Sequence, residues 1–286
     1  MIPDSLTLAV IQFRTKPGQV RENLASTAQF IDEAGKNGAE VVILPEMWPT
    51  GYGDIDYHSL SASVPGRYTD FLAQNAKRYK IHIVAGFPEI AGGGQLYNTA
   101  VLVNDQGEIV AKHRKIHLYT SMGEDKLWLP GDSYTVCDTK LGRVGLLTCY
   151  DGDFPESWRA TTLMGAQIIF QINAYESPCE DWWEKFYPAA ALQNVVWGIL
   201  CNAVGKTAGK KPAHFFGRSR IIAPDGKIEA EAPYVPPEGE AETYLLVKTI
   251  SPKSRFEDAR NKFGNFLRDR RPGAYSVITQ DRRWRS

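Results

Sequence analysis

Along the chain, apolar and β-branched residues gather in short runs separated by polar stretches: LTLAVIQF, AEVVILPE, IHIVAGFPEI, TAVLVN, RVGLLTCY, AQIIFQIN, WGILCNAV, RSRIIAP and TYLLVKTI. Several runs are nearly continuous in apolar residues rather than alternating, which predicts strands covered by helices on at least one face. Between some of them the spacing changes to that of a helix. In 21–37, Leu24, Ala28, Ile31 and Ala34 share one face, and Gly38 can end the helix. Residues 66–80 place Phe71, Leu72, Asn75, Ala76 and Tyr79 in a similar pattern. Residues 155–165 read as a short helix opening on Pro155, and 181–197 as a helix that Pro188 should kink or divide. The order is β-α-β-α-β, a hairpin-like pair, then β-α-β-α-β again, which predicts an α/β domain. VVILPE ends in Glu46 and IIFQIN in Asn173, which fits two half-domains facing each other, although the internal repeat is weak. No Gly/Ser-rich or Pro-rich linker divides the chain, and 230–240 reads as a surface loop, so residues 1–286 read as one domain.

Composition narrows the function classes. Lys plus Arg and Asp plus Glu number 33 each, so the formal charge is zero and no broad basic footprint for nucleic acid is present. The local basic stretch at the end, Arg268, Arg270, Arg271, Arg282, Arg283 and Arg285, reads as a solvated tail or a partner contact. No apolar run approaches the roughly 18–20 residues of a membrane span. The N-terminal segment lacks a basic leader, so no signal peptide is expected. Four widely spaced cysteines (Cys137, Cys149, Cys179, Cys201) suit a cytoplasmic protein with free thiols better than a disulfide framework.

In α/β sheets, functional groups collect beyond the carboxyl ends of strands. Three such ends carry reactive side chains: Glu46 after VVILP, Lys115 in KHRKIHL, and Cys149 after RVGLLT. A carboxylate, an ammonium and a thiol are complementary. Glu46 can take the thiol proton, Lys115 can hold the thiolate and then an oxyanion, and the Tyr150 backbone N–H can donate to the same oxyanion. Each residue also has a plainer reading: Cys149 as a small buried filler, Glu46 as a surface or cap residue, Lys115 as solvated. Spacing alone does not bring them together. His113 and His117 are four apart, but in a segment that reads as strand end and loop, which does not suit a metal pair, and no H-E-x-x-H or paired C-x-x-C is present. AGGGQ at 91–95 reads as a turn, without the helix a phosphate cradle needs.

Taken together, LPE at 44–46, KIHL at 115–118, Glu124 six residues before PGD at 130–132, and CYDGDFPE at 149–156 resemble the nitrilase superfamily of carbon–nitrogen hydrolases. The resemblance continues through YNTAVLVNDQGEIVAKHRK, FGRSRIIAPDGKI and LRDRRPGAY. It implies a four-layer α-β-β-α sandwich with two face-to-face β-sheets and a Glu-Lys-Cys triad at Glu46, Lys115 and Cys149. By the same resemblance Glu46 is the base and later the acid, Lys115 supports the tetrahedral intermediates, Cys149 forms a thioester, and Glu124 positions the lysine. It also implies oligomers, at least dimers, for which the segment 265–286, ending in DRRWRS with Trp284, is a candidate contact. No cofactor or metal follows from the chain.

Loops after the catalytic strands should build the substrate pocket: Tyr52, Trp128, Tyr150, Asn173, Ala174 and Tyr175, each of which core packing explains equally well. Cys149-Tyr150-Asp151 is closer to amidase and carbamoylase relatives than to the C-W-E of many nitrilases, and the match to aliphatic amidases fades at QINAYESP. The expected substrate is therefore a small amide or N-carbamoyl amine; a nitrile and a non-catalytic binding or assembly role are the alternatives. Asp151 and Asp153 stand where some carbamoylases carry arginines, which predicts neutral or cationic substrates, unless both aspartates merely cap the helix at Pro155.

Overall fold

The computed structural model describes residues 1–210 and 212–280. The first half runs β1 (Leu6–Gln12), α1 (Val20–Lys36), β2 (Val41–Ile43), α2 (Tyr57–Leu60), α3 (Arg67–Tyr79), β3 (His82–Ile90), β4 (Leu96–Val103) and β5 (Ile109–Arg114). The second half runs β6 (Thr135–Thr139), β7 (Gly142–Thr148), α4 (Pro155–Leu163), β8 (Ile168–Asn173), α5 (Glu180–Asn194), β9 (Trp197–Asn202), β10 (Val204–Lys206), β11 (His214–Phe216), β12 (Arg220–Ile222), β13 (Ile228–Glu231) and β14 (Tyr244–Ile250), with α6 (Pro252–Phe263) behind it. Among the described residues two six-stranded sheets form, in the orders β14-β1-β2-β3-β4-β5 and β13-β12-β9-β8-β7-β6. In each, three parallel strands form the centre: β1, β2 and β3 in one sheet, β7, β8 and β9 in the other. Antiparallel strands flank them on both sides.

The apolar runs are continuous because both strand faces are buried. Leu8, Val10, Val41 and Ile43 of the first sheet meet Val144, Ile168, Phe170 and Ile199 of the second in one core between the sheets. The alternate residues Ala9, Ile11 and Val42 face outward under Ile31 and Ala34 of α1 and Leu72 and Ala76 of α3. On the opposite face, Leu147, Ile169 and Leu200 lie under Trp158 of α4 and Trp183, Tyr187 and Ala191 of α5. The molecule is therefore the four-layer α-β-β-α sandwich. Each fully buried Ile, Leu or Phe contributes roughly 1.5–3 kcal/mol relative to exposure.

Two helices differ from the sequence reading. The buried face of α1 is set by Asn23 and Thr27 together with Ile31 and Ala34, whereas Leu24 and Ala28 are half-buried. Asn23 is buried because its amide donates to the carbonyls of Lys16 and Pro49 and accepts from the Lys16 N–H, tying the helix start to the loop after β2. Pro188 lies inside α5 without dividing it. The segment 281–286 with Trp284 lies outside the described residues.

Candidate active site

Glu46, Lys115 and Cys149 lie just beyond the carboxyl ends of β2, β5 and β7. Glu46 is 2% exposed and Lys115 1%. A Cβ on Gly86 of β3 would come within 2.2 Å of Ile172 in the opposite sheet and 3.2 Å of the Glu46 Cα, so only glycine lets the sheets and this carboxylate approach as they do. Lys115 is fixed at both backbone ends, donating to Asn98 and accepting from Gly131, each at 2.8 Å. Cys149 ends β7 in a left-handed conformation, φ +46°, on a strand-to-helix turn. That geometry is strained for a non-glycine residue and turns the thiol out of the strand.

The Lys115 ammonium bridges two carboxylates, 3.0 Å from Glu46 Oε1 and 2.8 Å from Glu124 Oε2. Burial pulls the lysine pKa down, but Glu124 and Glu46 outweigh it and hold the ammonium charged well above the usual range. Asn98 donates to Glu46 Oε1 at 2.6 Å and to the Tyr52 hydroxyl at 3.1 Å, and Tyr52 donates to Glu124 Oε1 at 3.1 Å. The Tyr119 N–H holds the other Glu124 oxygen at 2.8 Å. Glu46 Oε2 is buried with no hydrogen-bond partner among the described residues. One oxygen of this carboxylate is thus fixed by lysine and asparagine while the other is left open to accept a proton. Burial and the Glu46 charge push the Cys149 thiol well up, against Lys115 and the Ala174 backbone, which pull it down. Burial and the Glu46 charge therefore favour the neutral thiol of Cys149 over its thiolate.

Asp151, two residues after Cys149, is a clamp rather than a wall of the pocket. Its carboxylate accepts from His113 Nε2 at 2.9 Å, from the backbone of Ile116 and His117 at 3.1 and 2.8 Å, and from the Thr148 N–H at 3.2 Å. The turn carrying the thiol is thereby bolted to the segment around Lys115, through the His113 side chain before it and the Ile116 and His117 backbone after it. Neither aspartate caps α4, whose first residue follows Phe154 without a side-chain cap. Gly152 is required beside this clamp, because a Cβ there would lie 2.2 Å from the Gln171 amide, which itself donates to the Cys149 carbonyl.

A small cavity opens beside the thiol, lined by Tyr119, Tyr150, Asp153, Tyr175, Glu176 and Trp182 together with Met122, Ala174 and Cys179. Of the residues read from sequence as pocket-forming, Tyr150, Ala174 and Tyr175 line it. Tyr52 sits behind the carboxylates instead. Trp128 packs edge-on against Tyr57 at 4.8 Å. Asn173 is fully buried, bonded to Gln171 and to the Cys201 carbonyl, because a polar side chain at that strand end must satisfy itself inside the core. Sequence reasoning missed Asn98, Tyr119 and Glu176. Asn98 carried a signal: an amide within the apolar strand YNTAVLV must have a buried partner.

The carbon-nitrogen hydrolase family model matches residues 7–252. Among curated proteins, the chain is 31% identical over 225 residues to a 2-oxoglutaramate amidase of Bacillus subtilis, covering 79% of this chain and 85% of that one. It is 33% identical over 226 residues to a protein named nitrilase from Pyrococcus abyssi, covering 77% of this chain and 82% of the relative. Among solved structures, Saccharomyces cerevisiae Nit3, a member of branch 10 of the nitrilase superfamily, superposes with a TM-score of 0.81 at 28% identity, over 91% of this chain and 95% of Nit3. The chain belongs to the carbon–nitrogen hydrolase family, within the nitrilase superfamily, and is an enzyme that hydrolyses C–N bonds.

Proposed function

We propose that the protein hydrolyses a small amide or N-carbamoyl amine through a thioester on Cys149, releasing ammonia. The observation that carries this reading is the lysine held between two carboxylates, with the free oxygen of Glu46 beside a thiol on a strained turn. Cys149 Sγ attacks the carbonyl carbon as its proton passes to Glu46. The oxyanion is met by the Lys115 ammonium and the Tyr150 N–H; one such donor contributes roughly 3–4 kcal/mol to lowering the barrier. Glu46 returns the proton to the leaving nitrogen, the C–N bond breaks, ammonia departs, and a thioester remains. Water then attacks the thioester, giving a proton to Glu46. The second tetrahedral adduct expels the sulfur, which takes back that proton as the carboxylic acid leaves. Glu124 keeps Lys115 charged and in place throughout.

The likeness to the Bacillus subtilis protein named 2-oxoglutaramate amidase supports an amide over a nitrile. Ammonia release from a primary amide, an N-carbamoyl amine and the matching nitrile, by the native enzyme and by Cys149→Ala, tests the reading. Release from the amide or carbamoyl compound that vanishes in the variant is expected. Faster release from the nitrile would reverse the substrate assignment, and turnover by Cys149→Ala would overturn the mechanism. We read residues 1–286 as one hydrolase domain, cytoplasmic and homo-oligomeric. Exposed Trp182 and Phe186 on α5, and Phe266, Val277 and Ile278 near the end, support a self-contact. An unchanged oligomer by light scattering after truncation from Asp281 would exclude the last six residues from that contact.

A further inference from the structure

The outer wall of the cavity has a composition that the chemistry of the triad does not require. Tyr119, Tyr150, Tyr175 and Trp182 present aromatic rings, and Asp153 and Glu176 present carboxyl groups. No Lys, Arg or His is among the described residues that line it. The Lys115 ammonium is held by Glu46 at 3.0 Å and Glu124 at 2.8 Å and forms no ion pair with Asp153 or Glu176, although its charge pulls the Asp153 carboxyl down in part. Asp153 is supported only by neutral donors, the hydroxyls of Tyr175 at 2.9 Å and Tyr187 at 2.8 Å.

Four carboxyl groups thus surround the nucleophile, Glu46, Glu124, Asp153 and Glu176, against one ammonium. Burial pushes the Asp153 carboxyl up to about 6, outweighing the two tyrosine hydrogen bonds and the more distant Lys115 charge, and burial likewise pushes Glu176 up. Carboxyl groups behave in this way where burial is not offset by a counter-charge. A substrate carboxylate placed here would add a further negative charge with no cation to meet it. A neutral chain would leave the imbalance as it is. A protonated amine would supply the missing charge, and ring faces beside carboxylates are what a desolvated ammonium binds.

We propose that this wall is the specificity subsite and that it takes an ammonium group: the substrate is a short amide or N-carbamoyl amine that carries a second, protonated amine. The inference rests on the cysteine-hydrolase reading above and adds the charge of its substrate. It excludes the ω-amides of dicarboxylic acids as preferred substrates.

The test compares three amides that share the same three-methylene chain and differ only at its far end: γ-aminobutyramide (cationic), valeramide (neutral) and glutaramic acid (anionic). Ammonia release should give kcat/KM highest for the cation, roughly tenfold or more above the neutral amide and further above the anion. Asp153→Asn and Glu176→Gln should each shrink the cation-to-neutral ratio by roughly tenfold, mainly through KM. Should either variant fail to fold, the series on the native enzyme still decides. Equal or better turnover of valeramide or glutaramic acid would overturn the inference and leave the hydrolase reading standing. No ammonia from any of the three, together with none from simple amides and N-carbamoyl amines, would overturn that reading and this inference with it.

Discussion

On the inner side of Cys149, one ammonium lies between two carboxylates, and Asn98, Tyr52 and the Tyr119 N–H occupy most of the remaining oxygens. On the outer side, two carboxyl groups face a cavity with only tyrosine hydroxyls beside Asp153. Every inner-wall carboxylate oxygen but Glu46 Oε2 is hydrogen-bonded, and the outer wall is short of positive charge. The difference separates two tasks. Groups that must be aimed at a reacting carbonyl are fixed before substrate arrives, which lowers the reorganisation needed at the transition state. Groups that select a substrate are left incomplete, so that the right ligand completes them.

Breaking the inner wall should cost the most. Glu46→Gln removes the proton acceptor while keeping shape, and kcat should fall roughly 10²–10⁴-fold with little change in melting temperature. Steady-state ammonia release beside a thermal melt checks both halves of that expectation. Glu124→Gln can keep its bond from the Tyr119 N–H while its NH2 replaces the oxygen facing Tyr52, and it removes one negative charge from beside Lys115. A loss of roughly 10–100-fold in kcat, with KM little changed, would place its effect on the lysine, whereas an effect on KM alone would move it to substrate binding.

The clamp between the walls should show itself in stability against pH. Burial pushes the Asp151 carboxyl up, but the hydrogen bonds from His113 and His117 outweigh it and hold the group well below the usual carboxylate range. The folded state therefore binds this proton less readily than the unfolded chain does. The stabilisation is complete above an unfolded aspartate pKa of about 3.9 and is lost as pH falls through and below that value. Asp151→Asn should lose roughly 1–3 kcal/mol at neutral pH by urea unfolding, with the gap to the native chain closing in acid. A gap independent of pH would mean that the carboxylate charge plays no part in the clamp.

Asp153 should behave with the opposite sign. Its folded pKa is raised to about 6, so the folded state holds this proton more tightly than the unfolded chain does. Native stability should therefore decline as pH rises from about 4 towards that value and level off above it. Asp153→Asn should remove the decline, gaining roughly 1–2 kcal/mol relative to the native chain across that window. A constant difference between the two chains across the same window would show that Asp153 is already balanced, which would weaken the contrast between the walls.

The sequence disclosed the inner wall better than the outer one for a physical reason. Glu46 and Cys149 each follow a strongly apolar strand, so the pattern that predicts those strands also locates the residues beyond their ends, whereas Lys115 follows the half-polar strand IVAKHR, and the nitrilase resemblance joined all three with Glu124. Asn98 was open to the same logic as a polar residue inside an apolar strand. Tyr119, Glu176 and Trp182 come from loops and a helix start, and nothing in their local spacing says that they meet across the thiol. Trp128 and Asn173 lie outside the cavity lining, because an aromatic or amide near a strand end is equally at home in the core, where Trp128 packs against Tyr57 and Asn173 bonds to Gln171. Asp151 and Asp153 look alike in CYDGD, yet the turn sends one to the Ile116 and His117 backbone and the other to the cavity.

The most direct test is rapid-quench intact-protein mass spectrometry during turnover of a short amide, with Cys149→Ala beside the native chain. The account requires an adduct with the mass of the acyl group on the native enzyme, formed as ammonia is released, and neither adduct nor ammonia from the variant. Ammonia released at native rates by Cys149→Ala would contradict it.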